Sequence, residues 1–136
     1  AVKWANEVGI ETRGSFMLAL PGETPEMARK TIDFAVSLSL DYAQFLLTTP
    51  YPGTELFEQC KQDGRLSENY DDYSVFKPVF VPNGYKDEKE IMKVYKLAYR
   101  KFYLRPSYAL KHLKKIKNWT DIKKYAAAAK FVIGMS

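Results

Sequence analysis

Gly14-Ser15-Phe16-Met17-Leu18-Ala19-Leu20-Pro21-Gly22-Glu23-Thr24-Pro25-Glu26 decides the architecture of the chain. Its first half is short and continuously apolar from Phe16 to Leu20, the pattern of a strand covered on both faces in a parallel sheet. Pro21-Gly22 ends that run. Thr24 can cap the free amides of a following helix, Pro25 stands where no N–H is needed, and Glu26 meets the positive end of the dipole. Met27, Ala28, Ile32, Ala35, Val36 and Leu40 keep one helical face apolar to about Leu40.

Downstream the pattern repeats. Tyr42-Ala43-Gln44-Phe45-Leu46-Leu47-Thr48 predicts a second strand, Thr49-Pro50-Tyr51-Pro52-Gly53 a rigid bend, and Thr54 the cap of a helix reaching about Asp63 and closed at Gly64. Strand, helix, strand, helix is the pattern of a right-handed βαβ layer, although two strands are too few for a stable parallel sheet alone. Upstream, Val2 to Gly9 is helical in composition and stops at Gly9, with no capping residue at its start, so the chain is expected to begin inside a helix. Tyr70, Tyr73, Phe76, Phe80 and Tyr85 stand among turn formers, so 65–85 reads as an irregular, aromatic-rich connector. Asp87 caps a long helix through about Phe102, Pro106 starts another to Lys117, and Thr120 caps a third to Phe131. The expected units are 1–64, 65–85 and a basic helical region, 86–136.

With 46% apolar and 27% charged residues in 136, the chain has the balance of a soluble globular protein. Its single cysteine, Cys60, excludes an internal disulfide, and one thiolate cannot hold an iron–sulfur cluster or a structural zinc. The lone His112 leaves no histidine-built metal site. No run approaches the roughly 20 apolar residues of a membrane span, and Ala1 opens no signal-peptide pattern, so a reducing, cytoplasmic setting is expected. The net charge of +5 hides an asymmetry: residues 1–85 hold seven Lys/Arg against twelve Asp/Glu, and residues 86–136 hold fourteen against four.

On residue chemistry alone three features stay open. The turn Ala19 to Thr24 joins a buried strand to a helix N-terminus, where free amides could bind a polar group, but it lacks the Gly-Lys-Ser/Thr of a P-loop and the glycines of a dinucleotide fingerprint. The bend Thr48 to Leu56 lies at the carboxyl end of a strand, where ligands of α/β sheets bind; it is equally a stiff connector whose Tyr51 covers the sheet edge. In the basic region, Lys93, Lys96, Arg100, Lys101, Lys111, Lys114, Lys115, Lys117, Lys123 and Lys124 alternate with Tyr95, Tyr99, Phe102, Tyr103 and Tyr108. Such interleaving suits a nucleic-acid surface, while a solvated lysine face over an aromatic core face is the commoner outcome. Leu110, Leu113 and Ile116 beside the lysines leave a membrane-surface helix as a third option.

Taken together, Gly14 to Thr24 and Asp41-Tyr42-Ala43-Gln44-Phe45-Leu46-Leu47-Thr48-Thr49-Pro50-Tyr51-Pro52-Gly53-Thr54-Glu55-Leu56 resemble the back half of a radical S-adenosylmethionine (SAM) barrel. The likeness is closest to the cobalamin-dependent branch, which includes the anaerobic magnesium-protoporphyrin ester cyclases. Phe102-Tyr103-Leu104-Arg105-Pro106-Ser107-Tyr108 resembles that branch's C-terminal helical region. The resemblance implies an α/β fold: the C-terminal portion of a partial TIM-like (β/α)6 barrel, its fifth and sixth strands present here, followed by a helical C-terminal extension. In such enzymes a CxxxCxxC motif upstream holds a 4Fe-4S cluster, and a cobalamin-binding domain lies further upstream.

This chain has neither, so it is expected to be an inactive C-terminal fragment of a longer enzyme, with Cys60 no remnant of the motif. Gly14, Leu18, Gly22 and Glu23 fall on the family's fifth-strand motif that supports the SAM adenine, with Ala19 where glycine is usual. The backbone at Leu47, Thr48, Thr49 and Pro50 would contact adenine or substrate. No catalytic or metal-ligating residue is assigned. The implied cofactors are SAM and a 4Fe-4S cluster, with cobalamin for this branch, none of them held by this chain alone. The implied partners are the upstream part of the same protein and a small-molecule substrate. Unpaired strand edges add an expectation of self-association. The rival reading is a nucleic-acid or acidic-surface binding module in 86–136.

Overall fold

A computed structural model of the chain describes residues 1–113 and position 134. Helix α1 (Val2–Glu7) precedes strand β1 (Arg13–Leu18), helix α2 (Pro25–Ser37), strand β2 (Tyr42–Leu47) and helix α3 (Glu55–Asp63). Strands β3 (Gly64–Leu66) and β4 (Phe80–Pro82) flank a 3-10 turn at Tyr70–Asp72, and helices α4 (Glu88–Tyr103) and α5 (Pro106–Leu113) follow. β1 and β2 pair in parallel from Arg13 opposite Tyr42 to Leu18 opposite Leu47, with α2 as the crossover. Among the described residues the sheet has these two strands and does not close on itself.

The helix starts follow the local chemistry. The hydroxyl of Thr24 accepts from Met27 N, that of Thr54 from Phe57 N, and the carboxylate of Asp87 from Glu90 N. α2 stops at Ser37, short of Leu40, because Leu38 turns extended and leads Leu40 into the core beneath the next strand. One face of the sheet, with Leu18, Ala43, Phe45 and Leu47 buried and Phe16 half-buried, shares a core with Ala28, Ile32 and Ala35 of α2 and Ile91, Val94, Ala98 and Phe102 of α4. Phe45 lies at its centre, stacked on Phe16 at 5.5 Å and edge-on to Phe102 at 6.3 Å.

The expectation of strands covered on both faces is not met. Ser15 is exposed, Met17 is 45% exposed, and Gln44 and Leu46 are half-buried. Successive side chains alternate across a strand, so Ser15 and Gln44, opposite each other in the register, mark the open face within two otherwise apolar runs.

The irregular connector expected over 65–85 contains an antiparallel pair, Gly64 to Leu66 against Pro82 to Phe80. Val79, Phe80 and Val81 are buried there, and Gly64 is required by close approach: a Cβ on it would lie 2.2 Å from the Val81 carbonyl oxygen. α4 buries Ile91, Val94, Tyr95, Ala98 and Phe102 along one stripe. The expected continuation of α5 to Lys117, the helix from Thr120 to Phe131, and Lys114, Lys115, Lys117, Lys123 and Lys124 lie outside the described residues. Among the described residues no helix is long and apolar enough to cross a membrane.

Candidate functional site at the carboxyl end of the sheet

At the carboxyl end of the parallel pair the two strands are tied together beyond their ladder. Thr48, 1% exposed, donates to the Leu18 carbonyl from both its amide and its hydroxyl, each at 3.0 Å. The Thr49 hydroxyl donates to the Leu47 carbonyl at 3.2 Å, and Pro50 is buried. Tyr51 O accepts from the Thr54 hydroxyl at 2.7 Å, which closes the proline-rich bend onto the start of α3. Leu47 N donates to Val75 O at 2.8 Å and fixes the connector beside the strand end.

The turn from β1 to α2 is built around a buried carboxylate. Ala19 adopts a left-handed backbone, φ 60°, that a side chain disfavours. Glu23, 5% exposed, holds that conformation: its Oε1 accepts from Ala19 N at 2.7 Å and from the Tyr85 hydroxyl at 2.7 Å. Burial and the adjoining Glu23 carboxylate push the Tyr85 phenol well above its ordinary range. Gly84 lets the connector approach, since a Cβ there would lie 2.4 Å from the Glu23 carbonyl oxygen. Gly22, φ 74°, donates its amide to Asp63 Oδ2 at 2.6 Å, and Glu23 N donates to Leu20 O at 2.9 Å. The amides of Ala19, Gly22 and Glu23 are therefore engaged within the chain.

Seven of the eight residues singled out from the sequence converge at this end: Leu18, Gly22, Glu23, Leu47, Thr48, Thr49 and Pro50. Gly14 does not. It lies four residues back along β1, about 13 Å away at strand rise, and a Cβ on it would lie 2.6 Å from Leu40 Cδ1 and 2.8 Å from the Phe16 ring, so its need is one of packing. The side chains of Leu18 and Leu47 are buried on the helix side, and their carbonyls are taken by Thr48 and Thr49. Sequence reasoning missed Asp63, Gly84 and Tyr85, which brace the β1–α2 turn from 41 to 62 residues away in the chain. It also missed the open-face side chains Ser15, Met17, Gln44 and Leu46; the polar residues alternating within the apolar runs were the available signal.

The residues present do not fit an iron–sulfur cluster. Cys60 is fully buried in α3, and burial, reinforced by Asp63, pushes its thiol up to about 11, away from the thiolate a metal requires. Among the described residues no group of three or more His, Cys, Asp or Glu side chains could hold a metal ion. The aromatic residues of α4 turn inward: Tyr95 and Phe102 are buried and Tyr99 and Tyr103 half-buried, while Lys93, Arg100 and Lys101 are exposed. Base stacking by these rings is thereby unavailable, and α4 is a solvated basic face over an aromatic packing face. At the opposite, amino end of the strands, buried Asp41 pairs with Lys111 at 3.1 Å and accepts from Thr12 N at 2.9 Å, while Lys111 also donates to Asn6 Oδ1 and Ser39 O. This network pins α5 and α1 together beside a cleft of about 720 Å³ and lies away from the strand ends where α/β ligands bind.

No protein-family model matches the chain. It is 40% identical over 114 residues, 83% of its length and 25% of the relative's, to an uncharacterized methyltransferase of Pyrococcus horikoshii. It is 24% identical over 108 residues, 79% of its length and 19% of the relative's, to an anaerobic magnesium-protoporphyrin IX monomethyl ester cyclase of Rubrivivax gelatinosus. It is 28% identical over 88 residues, 65% of its length and 19% of the relative's, to a bacteriochlorophyllide d C-12(1)-methyltransferase of Chlorobaculum tepidum. The chain thus spans about a quarter or less of the length of the curated relatives it matches, and by name those relatives are enzymes of methyl transfer and ring formation.

Proposed function

We propose that this chain is part of a radical SAM enzyme and supplies barrel wall and the backbone of an adenosyl pocket. β1 and β2 are then consecutive strands of a partial (β/α)6 barrel, their helix-packed face outward and Ser15, Met17, Gln44 and Leu46 toward the lumen. The observation that carries the reading is the convergence of both resembling motifs at one strand end, where Thr48 ties β2 to Leu18 and Glu23 locks the neighbouring turn. The names of the relatives support enzyme chemistry of this kind and leave the substrate open.

The 4Fe-4S cluster that the resemblance implies would supply the reducing electron for SAM cleavage in the complete enzyme. Cys60 is unsuited to that cluster, so its ligands belong to residues outside this chain; cobalamin is the further cofactor the resemblance implies. The work of this chain is positional. Of the backbone carbonyls at residues 18–22 and 47–50, those of Leu18, Leu20 and Leu47 already accept from Thr48, Glu23 and Thr49; the others are acceptors suited to the amino group of adenine, and the ties between the two turns keep them at fixed spacing. The β1 edge receives the preceding strand of the same protein, and the expected setting is a reducing cytoplasm.

The test is anaerobic reconstitution of the complete protein with iron and sulfide, followed by assay with SAM and dithionite. The expected result is 5′-deoxyadenosine from the complete protein and none from the 136-residue chain. A complete protein that takes up no cluster and forms no 5′-deoxyadenosine contradicts the reading, as does turnover by the chain alone.

A further inference from the structure

We propose that tyrosine hydroxyls of α4 stand in for a neighbouring strand along the outer edge of β2, sealing it against strand addition and leaving β1 as the growing edge of the sheet. The Tyr103 hydroxyl accepts from Ala43 N at 3.1 Å and donates to Ala43 O at 2.7 Å. The Tyr99 hydroxyl does the same at Phe45, accepting from N at 3.3 Å and donating to O at 3.2 Å. Asp41 O accepts from the Tyr108 hydroxyl at 3.1 Å, and Leu47 N is taken by Val75 O at 2.8 Å. Every second residue of β2 from Ala43 to Leu47, the set whose backbone points away from β1, is thus engaged, with the Asp41 carbonyl just before the strand.

The match is one of two repeats. A phenol both accepts and donates, as a strand residue does through its amide and carbonyl. Tyr99 and Tyr103 are one helical turn apart, about 6 Å of rise, and Ala43 and Phe45 are two strand residues apart, about 6.6 Å, so α4 lying along β2 presents one hydroxyl per outward-facing residue. The two rings stack at 6.1 Å and 13°, which holds both hydroxyls in line. Arg105, over the Phe102 ring at 4.3 Å and donating to Val36 O, fixes the junction that brings Tyr108 to the start of the strand. The Phe102 to Tyr108 motif therefore has a physical role of its own, independent of any cofactor. By contrast, among the described residues no hydrogen bond caps the Arg13, Ser15 and Met17 backbone on the side away from β2. An unsealed edge invites a strand; a sealed one does not.

Tyr→Phe substitutions remove the hydroxyls and keep the rings. Amide hydrogen exchange of the full 136-residue chain is expected to show Ala43 speeding up about tenfold in Tyr103→Phe with Phe45 unchanged, and the reverse in Tyr99→Phe, while Leu47, held by Val75, keeps its protection in both. In Tyr99→Phe/Tyr103→Phe, sedimentation should show self-association beyond that of the unsubstituted chain. Ala43 and Phe45 amides that stay protected without the hydroxyls overturn the proposal, and so does an equal loss at both positions from either single variant. If the double variant fails to fold, the crossed pattern of the single variants decides alone.

Discussion

Ala19 carries a methyl group on a left-handed backbone at the turn where the resembling enzymes have glycine. Ala19→Gly is expected to stabilise the chain by about 0.5–1 kcal/mol in urea unfolding, the relief of αL strain exceeding the entropy that glycine adds to the unfolded state. Glu23→Ala acts in the opposite sense, because it orphans Ala19 N and the Tyr85 hydroxyl in a buried place; a loss of about 2–4 kcal/mol is expected. Gly22 is constrained by its φ of 74° and not by crowding, since a Cβ there meets nothing within 4 Å, so side chains at this position act through backbone strain. At this scale the sequence was legible in part. The motif pointed to Glu23 and to the anomaly at Ala19, but the carboxylate's partner stands 62 residues away, and no spacing rule links them.

Helices were legible because their starts are local chemistry: Thr24, Thr54 and Asp87 each cap the helix expected of them. Which face of a strand is covered depends on neighbours distant in the chain, and there the apolar run from Phe16 to Leu20 misled. The three-residue strands β3 and β4 were invisible for the same reason, being held by tertiary packing. α3 offers a test through its buried Cys60. The folded state keeps the thiol protonated to about pH 11, whereas an unfolded thiol releases its proton near 9.0. The folded state thus binds more protons in that window, so stability present below pH 9 falls as pH rises from about 9 to about 11. Urea unfolding at pH 8 and pH 10 should show a smaller drop in Cys60→Ala than in the unsubstituted chain, and a thiol reagent at pH 8 should label Cys60 only after unfolding.

For the whole molecule, the distribution of exposed apolar surface decides behaviour. Met17, Leu20, Met27 and Phe34 are exposed on β1, on the turn that follows it and on α2, while the β2 edge lies under α4. The isolated chain is expected to associate at micromolar concentration through the β1 edge, seen by sedimentation equilibrium; a clean monomer that binds no hydrophobic dye contradicts this. A barrel is implied by the resemblance alone, since two parallel strands and a crossover belong to many α/β folds. The central claim, that adenosyl binds at the carboxyl ends of β1 and β2, is tested most directly by amide hydrogen exchange of the complete, reconstituted protein with and without SAM. Slower exchange confined to residues 18–22 and 47–51, with no change at Arg13 or Tyr42, is the predicted result; SAM that binds and leaves both turns unchanged contradicts the account.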